Sequence, residues 1–494
     1  MKKIFINSVI GIACVAGMTS CGDKFLETDY FAGVEAEGAL TTPNVIEYAL
    51  NGTYFQLQTY YFAGNYSTII GDIASDITYW NQDTGHFNQL YQFIYQDTDT
   101  YLRYIWEYGY KVIDNTSRII EACEDLIPEA SEDDLEVLKL FEAEARTLRA
   151  FAALKLTNVF CHQAMVNGTS YGNMPGIVII EKPVPAFSQV ERSTINESYA
   201  YINKDLTTAI NLFEEIGWDR DDVNYMGLAA AYGLYARSNM YLENWKEAAE
   251  AAENAILVSG IDELAYSPEE YKALYNGGNS NWESFFTLGL NSQTSWSANS
   301  LGTLFTTYGY SSSPYLESLY GSEDCRLSIL YYTPTEDSPN PYMKNFSGGK
   351  FGYYGGTNPS YATCYEINAP EMFLIQAEAY AKLNNIPAAQ EALLVVAKRN
   401  NAITSVADLP ASADGIMSFL YEERARELFQ EGFRFFDLRR WNIDCNLYAV
   451  QAPAVQWMIN NVKVGDVVLP IPAAEVNTNY GVTQNDGWSS TRPK

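Results

Sequence analysis

Apolar residues recur every three or four positions along most of the chain, the spacing of helices that bury one face in a core. Three single helices stand out. Residues 43–58 begin at Pro43, which suits a first helical turn because its missing N–H would be unpaired there anyway. Residues 99–123 carry aliphatic and aromatic side chains at helical spacing. Residues 132–160, EDDLEVLKLFEAEARTLRAFAALKLTNVF, crowd carboxylates into the first turn, where they offset the helix dipole.

Two helical hairpins share one spacing rule. In 228–242 and 245–258, Ala236, Ala248, Ala252 and Ala255 fall at offsets 0, 12, 16 and 19; in 370–383 and 387–400, Ala377, Ala389, Leu393 and Val396 keep the same offsets. Small side chains there let antiparallel helices approach closely, which is the tetratricopeptide pattern. The two matches lie far apart, so the expectation is degenerate repeats interrupted by other structure, not a continuous solenoid. Between them, residues 276–368 are irregular and rich in Gly, Ser, Pro, Tyr and Trp, with a strand-like run at 284–290. This reads as a loop-rich subdomain laid against an all-α scaffold, within a single domain spanning 43–494.

The N-terminus adds an address. Lys2 and Lys3 precede an apolar core, and Met18-Thr19-Ser20 leads to Cys21. This order is that of a secretory signal (1–20) ending in a bacterial lipobox, with Cys21 lipidated and 21–42 a tether. Several acyl chains would hold such a protein at a membrane without a spanning helix. The remaining cysteines, Cys123, Cys161, Cys325, Cys364 and Cys445, are widely spaced and read as buried thiols.

Charge excludes one class of partner. With 31 basic and 61 acidic residues the net charge is −30, which repels nucleic-acid phosphates. The catalytic scan is negative: no phosphate loop, dinucleotide fingerprint, zinc-protease or nucleophile-elbow motif occurs. Ser347 and Lys350 make an S-x-x-K without its accompanying motifs. The two histidines, His86 and His162, read as ordinary polar residues. No cofactor or metal motif occurs, though the many acidic loops leave a bound calcium ion open.

Aromatic density supplies the positive signal. Tyrosine occurs 38 times, and 17 aromatics fall within 54–110. Tyr101, Tyr104 and Tyr108 share a helical face and read as core. Tyr79 and Trp80 sit in the loop-like run SDITYWNQDTGH, beside Asn81 and Asp83. A flat ring beside planar polar groups suits a neutral sugar: the ring packs on C–H faces while amides and carboxylates meet hydroxyls. A second cluster, Trp296, Tyr308 and Tyr310 with Tyr315 and Tyr320, lies in the irregular stretch. The expectation is that both clusters meet in one ligand site.

Several segments together resemble the SusD/RagB family of Bacteroidetes outer-membrane lipoproteins. CGDKFLETD resembles the family's mature start, and EARTLRAFAALKLTNVF followed by NMPGIVI resembles its long helix and exit. YEERARELFQEGFRFFDLRRW and VVLPIPAAEVNTN, within 416–480, match its C-terminal signature. The chain departs at Asp486, where the family often has proline. The signature's charges (Glu423, Arg424, Glu427, Glu431, Arg434, Asp437, Arg439, Arg440) read as helix-to-helix ion pairs rather than a site.

The resemblance implies a non-catalytic, lipid-anchored protein on the outer face of the outer membrane. It would bind oligosaccharide and pass it to a SusC-like TonB-dependent transporter. A RagB-type peptide binder on the same scaffold, a surface glycosidase and a purely structural lid are the alternatives. The ligand contacts Tyr79, Trp80, Asn81, Asp83, Trp296, Tyr308 and Tyr310 rest on local chemistry alone.

Overall fold

A computed structural model describes residues 39–80, 84–185, 187–330, 346, 348–352, 358–445, 462–463, 467–486 and 488. The lipobox with Cys21, as well as Asn81, Asp83 and Ser347, lies outside the described residues.

In chain order the elements that matter here begin with α1 (Pro43–Gln58), α2 (Tyr66–Ile73), β1 (Thr78–Trp80), α3 (Thr100–Leu126), α4 (Glu132–Phe160) and α5 (Ile195–Ile216). Next come α6 (Leu228–Tyr241), α7 (Trp245–Ser259), β2 (Ser284–Leu288), α8 (Leu301–Thr307), β3 (Tyr310–Ser312) and β4 (Cys364–Asn368). The chain closes with α9 (Ala369–Lys382), α10 (Ile386–Ala397), α11 (Ala413–Glu427), α12 (Arg434–Trp441) and α13 (Ala473–Thr478). The protein is all-α apart from short two-stranded ladders.

Local chemistry sets the helix starts. Thr42 caps α1, Asp99 caps α3 through the Tyr101 N–H at 2.8 Å, and Ser131 caps α4 through the Asp134 N–H. Gly217 and Gly260, both with left-handed backbone, end α5 and α7.

The helices stack in sequence: α1 on α3, then α3, α4, α5, α6 and α7 each on the next. Here the structure corrects the expectation of an interrupted array. α9 packs directly on α7, then α10 on α9 and α11 on both, so the two hairpins are neighbours in space. The interruption exists only along the chain, because the irregular stretch loops out and returns α9 to the open side of α7. The repeat alanines Ala236, Ala248, Ala252, Ala255, Ala377 and Ala389 are all buried at these contacts.

The irregular stretch does not sit on the scaffold as a separate layer. Phe286, Leu304, Phe305, Tyr310 and Leu316 belong to the same core cluster as Ile46, Leu148 and Leu420. Its fastening is ionic as well. Arg326, fully buried, donates to Glu423 and Glu427 of α11 at 2.8 and 2.9 Å, and Glu427 also receives Arg399 at 3.1 Å. Arg399 in turn holds Glu283 at 2.5 Å. Arg434 clasps Asp76 at 2.8 Å, Arg440 holds Glu378 at 2.6 Å, and Asp437 receives both Arg424 and Arg440. Lys350, the lysine of the S-x-x-K, is spent on Glu431. The signature is therefore a buried ion lattice, and it joins distant segments as well as adjacent turns. Cys123, Cys161, Cys325 and Cys364 are buried free thiols.

Candidate ligand-binding cleft

The two aromatic clusters do meet. β1 pairs antiparallel with β3, setting Trp80 opposite Tyr310 and Tyr79 opposite Ser311. The Thr84 hydroxyl donates to the Tyr308 carbonyl at 2.9 Å, and the Tyr310 hydroxyl donates to the His86 carbonyl.

The pairing also decides which side chains can touch a ligand, and it corrects two expectations. Alternate residues of a strand face opposite ways, and here Trp80 and Tyr310 both face inward. Trp80 is 7% exposed and Tyr310 0%. The Trp80 indole N–H donates to the Thr84 carbonyl at 3.0 Å, and its ring meets Tyr91 edge-on at 5.7 Å. Neither ring can serve as a sugar platform in this arrangement; both hold the two loops together from beneath. Tyr79 faces the other way and is half-buried. Trp296 is half-buried too, its indole N–H donating to the Gln58 carbonyl at 3.0 Å and its ring tilted against Phe55 and Tyr60, both at 5.7 Å.

Between the loops lies a cleft of about 590 Å3. Tyr66, Phe87 and Tyr101 form its floor, with Tyr66 standing nearly perpendicular to Phe87 and Tyr101 at 5.4 and 5.0 Å. Tyr308 and His86 form one wall, stacked at 4.3 Å with 17° between their planes. Gln89, Gln96, Thr98 and Asn299 supply exposed amides and a hydroxyl around the rim.

The lining holds no lysine or arginine among the described residues, and its one carboxylate is Asp99. Asp99 is buried, which raises its carboxyl above the usual range, while one of its oxygens caps α3. Burial likewise pushes the Tyr66 and Tyr101 phenols up, so both stay neutral donors at physiological pH. Phe87 and Ser297, one beside each wall, have left-handed backbone with φ of 55° and 50°. Strain of this kind costs about 1 kcal/mol or more per residue and gathers at functional sites.

Beside the cleft, Tyr60, Tyr61, Tyr104 and Tyr108 form a stack that meets the floor at Tyr66. Tyr61 lies 4.0 Å from Tyr60, 4.2 Å from Tyr104 and 4.7 Å from Tyr108, and Lys111 stands 4.0 Å over the Tyr108 ring. These rings are already in mutual contact, so the stack braces the cleft. Two larger grooves, about 810 and 1010 Å3, run along α3. Among the charges on their rims, Lys111 pairs with Glu107 and Arg118 with Asp114, and the first groove carries the Trp106–Tyr110 ring pair at 4.8 Å. No group of three or more His, Cys, Asp or Glu residues suited to a metal ion occurs among the described residues.

Of the residues expected from sequence, Tyr308 lines the cleft; Trp296 precedes the lining residues Ala298 and Asn299, Tyr79 is not in the lining, and Asn81 and Asp83 lie outside the described residues. Sequence reasoning missed Tyr66, Phe87, Tyr101, Asn299 and especially His86. The density of aromatics in 54–110 was a signal for Tyr66, Phe87 and Tyr101, without saying which faced out; no sequence signal marked His86 or Asn299.

Comparisons with known proteins agree on the family. A model described as "SusD family" matches residues 341–488, and one described as "Starch-binding associating with outer membrane" matches residues 35–242. Among solved structures, a SusD superfamily protein from Bacteroides thetaiotaomicron superposes with a TM-score of 0.78 at 21% identity, covering 90% of this chain and 99% of that one. A SusD-like carbohydrate binding protein from Bacteroides vulgatus gives 0.72 at 19%, covering 89% and 97%. A SusD superfamily protein from Bacteroides fragilis gives 0.73 at 20%, covering 90% and 100%. No curated protein matches the chain.

Proposed function

The chain belongs to the SusD family, and from that premise we propose that it is a cell-surface lipoprotein that captures an uncharged oligosaccharide without cleaving it. It is anchored in the outer membrane through Cys21, faces outward, and passes its ligand to a SusC-like TonB-dependent transporter.

The observation that carries the reading is the cleft: aromatic floor and wall, neutral amide and hydroxyl rim, and no lysine or arginine among the described residues of the lining. In a chain of net charge −30 an anionic polymer would be repelled, whereas a neutral glycan feels no such barrier. The Tyr308–His86 stack offers a flat surface for pyranose C–H groups, and the rim offers partners for hydroxyls. Glycosidase chemistry needs two carboxyl groups across the scissile bond, and the described lining supplies Asp99 alone. The relatives' names and the family description fit a carbohydrate ligand and an outer-membrane setting. No described helix is long and apolar enough to cross a membrane.

The test is binding of the purified protein to arrays of neutral glycans, acidic glycans and peptides, followed by incubation with any glycan retained. Retention of neutral glycan with no new reducing ends is expected. Retention of peptides alone would establish the RagB-type alternative, and new reducing ends would establish an enzyme.

A further inference from the structure

Two acceptor atoms of the cleft lining have no partner. Asn65, just before α2, and Asp99, which caps α3, both line the cleft and are 2% and 6% exposed. Asn65 donates its amide N–H to the Asn299 carbonyl at 2.7 Å, and one Asp99 oxygen accepts the Tyr101 N–H at 2.8 Å. The other oxygen of each, Asn65 Oδ1 and Asp99 Oδ2, is buried and accepts no hydrogen bond. Buried polar atoms are nearly always bonded, because an unmade bond leaves lost hydration without replacement. Two such atoms, on separate elements of one cleft, ask for a common explanation.

Their chemistry is one-sided. An amide oxygen and an ionised carboxylate oxygen accept and do not donate. The exposed rim groups of Gln89, Gln96 and Thr98 can turn to do either, so they discriminate less. No lysine or arginine among the described lining residues supplies the missing donors, which leaves them to the ligand. A sugar hydroxyl is such a donor. A methyl ether or ester oxygen in its place sets acceptor against acceptor, and a site built to bond a hydroxyl rejects an analogue without one. Burial already disfavours charge here, holding the Asp99 carboxyl above the usual range, which favours a neutral donor over an ammonium.

We propose that Asn65 Oδ1 and Asp99 Oδ2 select the ligand: they accept from hydroxyls of a neutral glycan whose hydroxyls are unsubstituted, and they reject O-methylated or O-acetylated glycans. The inference deepens the functional reading above and rests on it. Both oxygens lie just beneath the cleft surface, so binding includes a small shift of the lining. The exposed turn at 297–299 is placed to yield, because Ser297 holds left-handed backbone and the Asn299 carbonyl is tied to Asn65.

The test probes wild type, Asp99→Asn and the double variant Asn65→Ala with Asp99→Asn on one array. The array carries neutral glycans with free and with O-methylated hydroxyls, and amine-bearing glycans alongside. Asp99→Asn keeps an oxygen for the α3 cap, asparagine being an equally good cap, and turns the Oδ2 acceptor into an N–H donor. Its thermal midpoint should stay within a few degrees of wild type.

Wild type should bind a free glycan at least tenfold more tightly than its O-methylated form. Asp99→Asn should lose at least tenfold on the free form, and the double variant should distinguish the two forms by less than threefold. A merely structural role would weaken both forms alike and leave that ratio unmoved. Equal binding of both forms by wild type, undiminished binding by Asp99→Asn, an unmoved ratio in the double variant, or tighter retention of the amine-bearing glycans would overturn the inference and leave glycan capture standing. Absence of glycan binding by wild type would instead overturn the functional reading, and this inference with it.

Discussion

Asp72 and Glu423 are both fully buried carboxyls, and their neighbours drive them in opposite directions. Burial, reinforced by nearby Glu431, raises Asp72 to about 8 despite the Gly432 N–H it accepts. An unfolded Asp titrates near 4, so from about pH 4 upward the unfolded chain sheds a proton that the folded one keeps. Stability from this group is therefore lost as pH rises toward 8. Asp72→Asn should be indistinguishable from wild type near pH 4 and progressively more stable up to about pH 8, in urea unfolding at stepped pH. A gap that does not change with pH would contradict the assignment. Burial also acts to raise Glu423, but Arg326 and Arg426 outweigh it and hold the carboxyl at about 2. Its contribution is present above about pH 4.5 and lost as pH falls through about 2. Glu423→Gln should cost about 3 kcal/mol at pH 7, with the deficit narrowing in acid. That the signature's charges are structural was legible in the sequence. Their partners were not, because Asp76, Glu283, Arg326, Glu378 and Arg399 come from segments far from the motif, up to 358 residues away.

The helices were legible because caps, periodicity and small residues at fixed offsets are local properties. The predicted 43–58 and 132–160 coincide with the observed helices, and 99–123 extends by one turn to Leu126. The alanine spacing carries a consequence: Ala252→Leu or Ala377→Leu should overpack the α7–α9 neighbourhood and cost about 1–3 kcal/mol, while Leu257→Ala on the exposed side should change little. Thermal or urea midpoints of the three variants decide it. The three-residue strands were not legible. β1 and β3 lie 230 residues apart at Trp80 and Tyr310, and their shortness leaves almost no alternation to read, so Trp80 looked like an exposed loop aromatic. Only the pairing reveals that it faces inward. Trp80→Ala should destabilise by about 3–5 kcal/mol, and any ligand loss in that variant would report on folding.

Across the whole molecule, a strongly acidic body carries an aromatic cleft, without lysine or arginine among its described residues, where two distant stretches of chain converge. Aromatic clustering in the sequence pointed to the two regions that the β1–β3 pairing brings together. Which rings face solvent depends on tertiary packing, which is why Tyr308 and His86 take the place given to Trp80 and Tyr310. Because the ligand is uncharged in this account and the described lining holds no lysine or arginine, affinity for a neutral oligosaccharide should be nearly unchanged between about 50 and 500 mM salt, a range that screens exposed charges strongly. The most direct measurement is calorimetric titration of wild type, Tyr308→Ala and His86→Ala with a neutral oligosaccharide retained on the array, alongside their thermal midpoints. The account predicts micromolar to millimolar binding by wild type and at least a tenfold loss in both variants, with midpoints within a few degrees of wild type. Unchanged affinity in two well-folded variants would contradict it.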